Sequence, residues 1–300
     1  MKEINKLEIA EWFKALQDEI CNKLEILDEK AIFHEDIWDR PEGGGGRSRV
    51  IKNGNLIEKG GVNFSAVEGS TPDKILQALQ LSQADFFATG VSIVLHPENP
   101  WVPIIHMNVR YFEMTNGIWW FGGGIDLTPH YINKDQAKNF HMTLKNACDN
   151  HSLEYYPKFK QWADDYFYVK HRDETRGVGG IFFDRLSNED SFDKNSRWNF
   201  VKEIGESFIP AYSNAVKDAR NKEWTEEDKN WQKIRRGRYV EFNLVHDKGT
   251  KFGLDTNGRT ESILMSLPPE AKWEYDHQGE TEAQKNTLSL LKKGIDWVNI

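Results

Sequence analysis

Apolar residues recur every three or four positions across residues 5–28: Leu7, Trp12, Phe13, Leu16, Ile20, Leu24 and Leu27. That period predicts an amphipathic helix laid against a core. Residues 134–150 and 157–172 read as two more helices. Residues 198–220 read as another, with Trp198, Val201, Ile204, Phe208 and Tyr212 on one face.

The period changes to two around residue 90. From Gly90 to His96, Ser92, Val94 and His96 point one way, and Val91, Ile93 and Leu95 the other. Residues 97–100 form a turn by their two prolines and an Asn. Val102 to Glu113 is the returning strand. Asn116-Gly117 signals a tight hairpin, and residues 118–121 are a third strand ended by Gly122-Gly123-Gly124. Alternation returns at Tyr239 to His246, and strands are expected again at 251–254 and 260–267. Turns at 247–250 and 255–258 separate them, and Pro268-Pro269 ends the run. The expectation is an α+β fold: a single large antiparallel β-sheet flanked by α-helices on both faces. With no repeat and no Pro/Ser-rich linker, residues 1–300 read as one domain. The segment Pro41 to Arg49 holds four glycines, Gly43 to Gly46, with Arg40, Arg47 and Arg49 beside them. It lacks the Gly-Lys-Ser/Thr ending of a phosphate loop. It reads either as a flexible linker or as a lid over a ligand.

Composition narrows the function. The 300 residues carry a net charge of −8, without the basic stripe of a nucleic-acid binder, so nucleic acid is not an expected partner. An acidic ligand would need arginines placed locally. Cys21 and Cys148 are the two cysteines and make no disulfide framework. With a plain start at Met1-Lys2-Glu3-Ile4 and no apolar run near 18 residues, the chain is expected to be cytoplasmic, with no transmembrane segment.

The strand 102–113 has the most chemistry. Ile104, His106, Asn108 and Arg110 share one face; Ile105, Met107, Val109 and Tyr111 take the other. Ser92 and His96 can join the first face from the neighbouring strand. Arg110 can fork a carboxylate, His106 can exchange a proton near neutral pH, and Asn108 can donate and accept. A solvated outer face of an antiparallel sheet would look the same. Downstream, Gly122 to Gly124 allow close approach of a bulky partner, and Asp126 can accept N–H bonds from it; a turn with an Asp cap fits equally. His141 shares a helix face with Ala137, Leu144 and Cys148 and reads as a core residue. His171 lies near a helix end. The four histidines 96, 106, 141 and 171 have no standard metal spacing. Arg235, Arg236, Arg238 and Arg259 could hold carboxylates or simply be solvated.

Over essentially its full length the chain resembles the oxygen-dependent coproporphyrinogen III oxidases. The carriers are Ala88-Thr89-Gly90-Val91-Ser92 through Arg110, and Trp119-Trp120-Phe121-Gly122-Gly123-Gly124 through Pro129. Arg176-Gly177-Val178-Gly179-Gly180-Ile181-Phe182-Phe183-Asp184 and the stretch Arg235 to Pro269 complete them. The resemblance implies oxidative decarboxylation of two propionates of coproporphyrinogen III to vinyl groups, giving protoporphyrinogen IX. Dioxygen is the co-substrate and there is no organic cofactor. It implies His106 as the proton donor, and Ser92, Asn108, Val109, Arg110, Asn257, Gly258 and Arg259 as substrate contacts. The residues themselves add Asp126, placed to bind pyrrole N–H groups and favour their deprotonation, and Arg110, placed to hold a propionate, so His106, Asp126 and Arg110 are the expected catalytic residues. The resemblance also implies a divalent metal on His96, His106, His141 and His171, and a homodimer joined through strands within 239–275. The family often has Gly-Gly-Arg where this chain has Asn257-Gly258-Arg259, and Asn tolerates the left-handed backbone such a turn needs. Two other readings are a non-haem iron oxygenase and a non-catalytic tetrapyrrole carrier. The first would use His96, His106 and Glu113, although Glu113 falls on the opposite parity from His106.

Overall fold

A computed structural model describes residues 2–71, 76, 82–189, 192–217, 219–255 and 258–300. Helix α1 (Lys6–Asp28) opens the chain. Asn5 and Glu8 form a reciprocal capping box at its start. At its end the buried Asp28 carboxylate accepts four backbone N–H groups, from Ala31, Asn55, Leu56 and Ile57, at 2.8–3.1 Å. One side chain therefore fixes the helix to the start of a strand.

Six consecutive strands follow: β1 (His34–Asp39), β2 (Gly44–Lys52), β3 (Ile57–Ser70), β4 (Asp85–Pro97), β5 (Ile104–Met114) and β6 (Trp119–Thr128). After α2 (Lys134–Asp149) and α3 (Tyr155–Tyr166) comes a two-stranded ribbon, β7 (Tyr168–Val169) with β8 (Glu174–Thr175). Strand β9 (Gly179–Leu186) then returns to the sheet. The sheet has seven strands in the order β1-β2-β3-β4-β5-β6-β9, every neighbour antiparallel. Its core face carries Ile93, Ile105, Met107, Val109, Phe121 and Ile125, all fully buried beneath α1, α2, α4 (Lys194–Glu206) and α5 (Phe208–Lys217). The opposite face is partly roofed by α6 (Glu226–Glu241), a π-helical turn at Phe242–His246, α7 (Lys248–Asp255) and α8 (Thr260–Leu264). Helix α9 (Glu282–Leu290) lies near the C-terminus. The expected α+β class with helices on both faces holds.

Three expectations need correction. Among the described residues, 239–246, 248–255 and 260–264 are helical and no strand lies within 239–275, the range expected to supply the strands that join a dimer. The cause is visible in α6: Trp231, Gln232, Arg235, Arg236, Arg238 and Tyr239 are all buried, so no exposed polar stripe marks the helical period. Arg235, Arg236 and Arg238 are neither solvated nor open to ligand; they pair with Glu174, Glu58 and Glu241. Second, the glycines do not end strands. Gly44 to Gly46 lie inside β2, and Gly122 to Gly124 inside β6. The 43–46 segment is thus a hairpin shoulder and not a free lid. Arg47 and Arg49 reach Asp18 on α1. Third, the helix expected over 198–220 is two helices, and the one over 157–172 stops at Tyr166.

Candidate active site

The register of the sheet lines up small polar residues in a row across it. Asp36, Ser48, Asn63, Ser92, Asn108 and Gly124 are consecutive cross-strand partners from β1 to β6. The next row runs Gly46, Ser65, Gly90, Arg110 and Gly122. Most of these positions are half-buried. Together they make a floor of mostly small side chains beneath the C-terminal helices, bordered by Trp38 against Gly46 and Phe182 against Gly124.

His106 and Asp126 are direct partners at one edge of this floor. His106 Nδ1 donates to Asp126 Oδ1 at 2.8 Å. This fixes the neutral tautomer and leaves Nε2 without a partner among the described residues; the side chain is 22% exposed. Behind it, Arg176 Nη2 donates to both Asp126 oxygens at 2.7 Å, and Nη1 donates to Asn243 Oδ1 at 3.0 Å. The guanidinium lies 4.4, 4.7 and 4.6 Å from the rings of Phe167, Tyr239 and Phe242. Stacking on three aromatic faces suits a buried guanidinium. Burial pushes the Asp126 carboxyl up, but the Arg176 charge and the His106 contact outweigh it and hold it below the usual carboxylate range. Burial likewise pushes the Tyr239 hydroxyl up to about 12.

Asp126 is 1% exposed and both its oxygens are engaged. A ligand N–H reaches it only if Arg176 or His106 gives way. Arg110 lies on the floor with Nη1 on Asn108 Oδ1 and Nη2 on Asp184 Oδ1, both at 2.7 Å. Gly122 makes room for this pair: a Cβ there would lie 2.6 Å from Asp184 Oδ1 and 2.7 Å from Arg110 Nη2. Ser92 faces Asn108 across the strands. Val109 points into the core, fully buried, and its backbone is paired with Val91 and Gly123, so it offers a substrate little.

Arg259 sits at the far end of the floor. Its guanidinium pairs with Asp36 and donates to Ser262 and Ser48. Ser48 and Asn108 are three strand spacings apart, or roughly 14 Å. Gly258 holds the loop through a 2.8 Å bond from its N–H to the Gly253 carbonyl. Asn257 lies outside the described residues.

The four histidines do not converge. His96 and His106 share the floor face, but His141 is on the other side of the sheet, fully buried, between Tyr156 OH and the Val178 carbonyl at 2.9 Å each. His171 is on the surface, bridging His246 at 2.9 Å and Glu241 at 2.7 Å with its two ring nitrogens. Among the described residues no group of three or more His, Cys, Asp or Glu could hold a metal ion. The set does not fit a shared metal. Glu113 bonds Tyr111 OH at the core-face parity, away from His106.

The pattern reading missed Arg176, Asp184, Asn243 and Tyr239. Asp184 was recoverable, since Gly180, Phe182 and Asp184 alternate in β9 onto the floor side. Arg176 had no such signal, because its partner Asp126 is 50 residues away.

A family profile described as coproporphyrinogen III oxidase matches residues 8–297. The chain is 50% identical over 301 residues to coproporphyrinogen-III oxidase 1, chloroplastic, of Arabidopsis thaliana, spanning 95% of this chain and 77% of that protein. It is 48% identical over 298 residues to the oxygen-dependent coproporphyrinogen-III oxidase of Drosophila melanogaster, covering 94% and 76%. Identity to the enzyme of that name from Prochlorococcus marinus strain NATL1A is 46% over 307 residues, covering 94% and 88%. With a profile match across nearly the whole chain and relatives this similar, the chain belongs to the coproporphyrinogen III oxidase family.

Proposed function

We propose that the floor beneath α6–α8 is where this enzyme converts two propionates of coproporphyrinogen III to vinyl groups with dioxygen as oxidant. Each round takes one propionic acid side chain and one O2 to a vinyl group, CO2 and H2O2. A C–H bond on the propionate carbon attached to the ring and the bond from the next carbon to the carboxylate break, and the electron pair released reduces dioxygen. The observation that carries the placement is the His106–Asp126–Arg176 chain at the edge of a Gly/Ser/Asn floor.

In this reading His106 Nε2 moves the proton at the reacting pyrrole. Asp126 is a positioning residue that fixes the imidazole. Arg110 and Arg259 take propionates by exchanging Asp184 and Asp36 for them, while Ser92 and Asn108 position the ring. Gly258 shapes the loop that carries Arg259. No step is assigned to a metal. We place the enzyme in a reducing compartment, the cytoplasm, supported by two buried free thiols, Cys21 and Cys148. Among the described residues no helix is long and apolar enough to cross a membrane. A homodimer through the C-terminal surface is part of the proposal, supported by exposed Leu244, Val245, Leu254, Trp273 and Tyr275; light scattering tests it.

The test follows vinyl product by fluorescence, after oxidation, for the parent and for His106→Ala in air. Loss of an acid–base group predicts turnover down about 10²–10⁴-fold. Parent activity retained in the variant would overturn the role of His106. No product from the parent would overturn the reaction.

A further inference from the structure

Behind the reaction centre, α6 packs on the end of β4 through charged and polar side chains that do not fully satisfy one another. His96, His130, Gln232 and Arg236 are each 0–1% exposed. Among the described residues five of their polar atoms have no hydrogen-bond partner: His96 Nδ1, His130 Nε2, Gln232 Oε1, and Arg236 Nε and Nη1. Leaving buried polar atoms unpaired costs the desolvation of each one, so a native protein rarely leaves five together. We propose that these four side chains enclose a site for internal water, bridging α6 to the end of β4.

The partners that are present fix which atoms donate. His96 Nε2 faces the Ser266 carbonyl at 2.8 Å, so it holds the proton and Nδ1 is a lone pair. His130 Nδ1 faces the Pro100 carbonyl at 3.2 Å, so its Nε2 is likewise a lone pair. Gln232 Nε2 donates to the Pro97 carbonyl at 3.0 Å, leaving Oε1 as acceptor. Arg236 Nη2 donates to that same carbonyl at 2.8 Å and to Glu58 at 2.6 Å, leaving the Nε and Nη1 hydrogens. Three acceptors and three N–H bonds are thus left unmet around Arg236, whose charge acts on both imidazoles and which shares the Pro97 carbonyl with Gln232.

That mixture selects the ligand. A metal ion would suit the two imidazole lone pairs but would sit beside the Arg236 guanidinium, with Lys59 and Lys229 also facing the cluster. An anion would suit Arg236 but would meet three lone pairs. Water donates and accepts, and at about three hydrogen bonds per internal molecule the unmet atoms ask for about two. Tyr239, one turn beyond Arg236 and two beyond Gln232 on α6, sets its ring 5.2 Å from His96 and 4.7 Å from the Arg176 guanidinium. The water would therefore seat the helix that forms one wall of the Arg176 cage. The site also gives His96 a role with no metal in it.

Crystals of the whole chain, soaked separately in manganese(II) and in bromide, test this at a resolution that shows ordered water. The expected result is about two non-anomalous peaks within hydrogen-bond reach of His96 Nδ1, His130 Nε2 and Arg236 Nη1. A manganese peak between the imidazoles, a bromide peak on Arg236, or a dry chamber with the side chains paired directly would each overturn it. In solution, ¹⁵N-labelled histidine at neutral pH should show His96 protonated on Nε2 and His130 on Nδ1. The opposite tautomer at either residue would refute the donor assignment.

Discussion

Asp126→Asn separates a carboxylate that works through His106 from one that holds substrate directly. The substitution keeps the volume and removes the charge. The new amide can donate to His106 Nδ1, which moves the imidazole proton to Nε2, the wrong tautomer for a ring oriented as here. Turnover should fall by about 10²–10⁴, or roughly 3–5 kcal/mol in activation free energy. KM should move by less than about threefold, because a residue 1% exposed does not line the floor. The second cost is to stability. Arg176 loses the counter-charge to which it donates twice at 2.7 Å, and breaking a buried pair from one side costs about 3–5 kcal/mol. The Asn oxygen and the Asn243 contact lower that figure. Initial rates over a substrate series in air-saturated buffer, with urea unfolding alongside, read both quantities. A KM that rises as much as kcat falls would mean that Asp126 binds the pyrroles itself. Unchanged kcat with lowered stability would make it purely structural. Either result refutes the positioning role.

His141 is fully buried, and burial lowers its pKa from the ordinary 6.5 to about 4. The unfolded chain binds this proton first, so the residue lowers stability as pH falls from 6.5 toward 4, by about 3 kcal/mol at the end of that window. In His141→Gln, unfolding free energies at pH 6.5 and 4.5 should differ less than in the parent; an equal difference would refute this. Asp28→Ala strips four backbone N–H groups of their acceptor and should cost about 3–5 kcal/mol in urea unfolding; a loss under about 1 kcal/mol would mean water replaces the carboxylate. Gly122→Ala drives a methyl into the Arg110–Asp184 pair and should raise KM about tenfold, worth about 1.4 kcal/mol of binding, with a smaller change in kcat. An unchanged KM would remove Arg110 from substrate binding.

The floor was half legible in the sequence. Strict alternation from Ile104 to Arg110 places His106, Asn108 and Arg110 on one side, as the sheet register bears out. The rest failed for physical reasons. Gly122 to Gly124 look like a strand stop because glycine weakens strands, yet here the missing side chains of Gly122 and Gly124 leave room on the floor and that of Gly123 leaves room for Phe183 in the core. Tyr239 to His246 reads as a strand because the arginines of α6 just before it are buried in pairs with Glu174, Glu58 and Glu241, and so break the link between charge and exposure that would mark the helix. Arg176 was invisible as a partner of Asp126 because the two meet only when β8 delivers the chain beside β6.

Magnitudes then decide which ion pairs can serve substrate exchange. Arg110 and Asp184 are 36% and 33% exposed, and Arg259 and Asp36 are 31% and 45% exposed. Pairs that open to water contribute about 0–1 kcal/mol, so an incoming propionate can displace either aspartate at little cost. Arg176 and Asp126 are 3% and 1% exposed. Separating them would leave two charges stranded in a cage of aromatic rings, at several kcal/mol. Two guanidiniums on the floor are therefore exchangeable and one behind it is not. In the proposed site, that division would let a chain of net charge −8 admit a substrate with four carboxylates. The placeholder aspartates neutralise Arg110 and Arg259 while the floor is empty. The buried pair keeps His106 in one tautomer whatever lies on the floor.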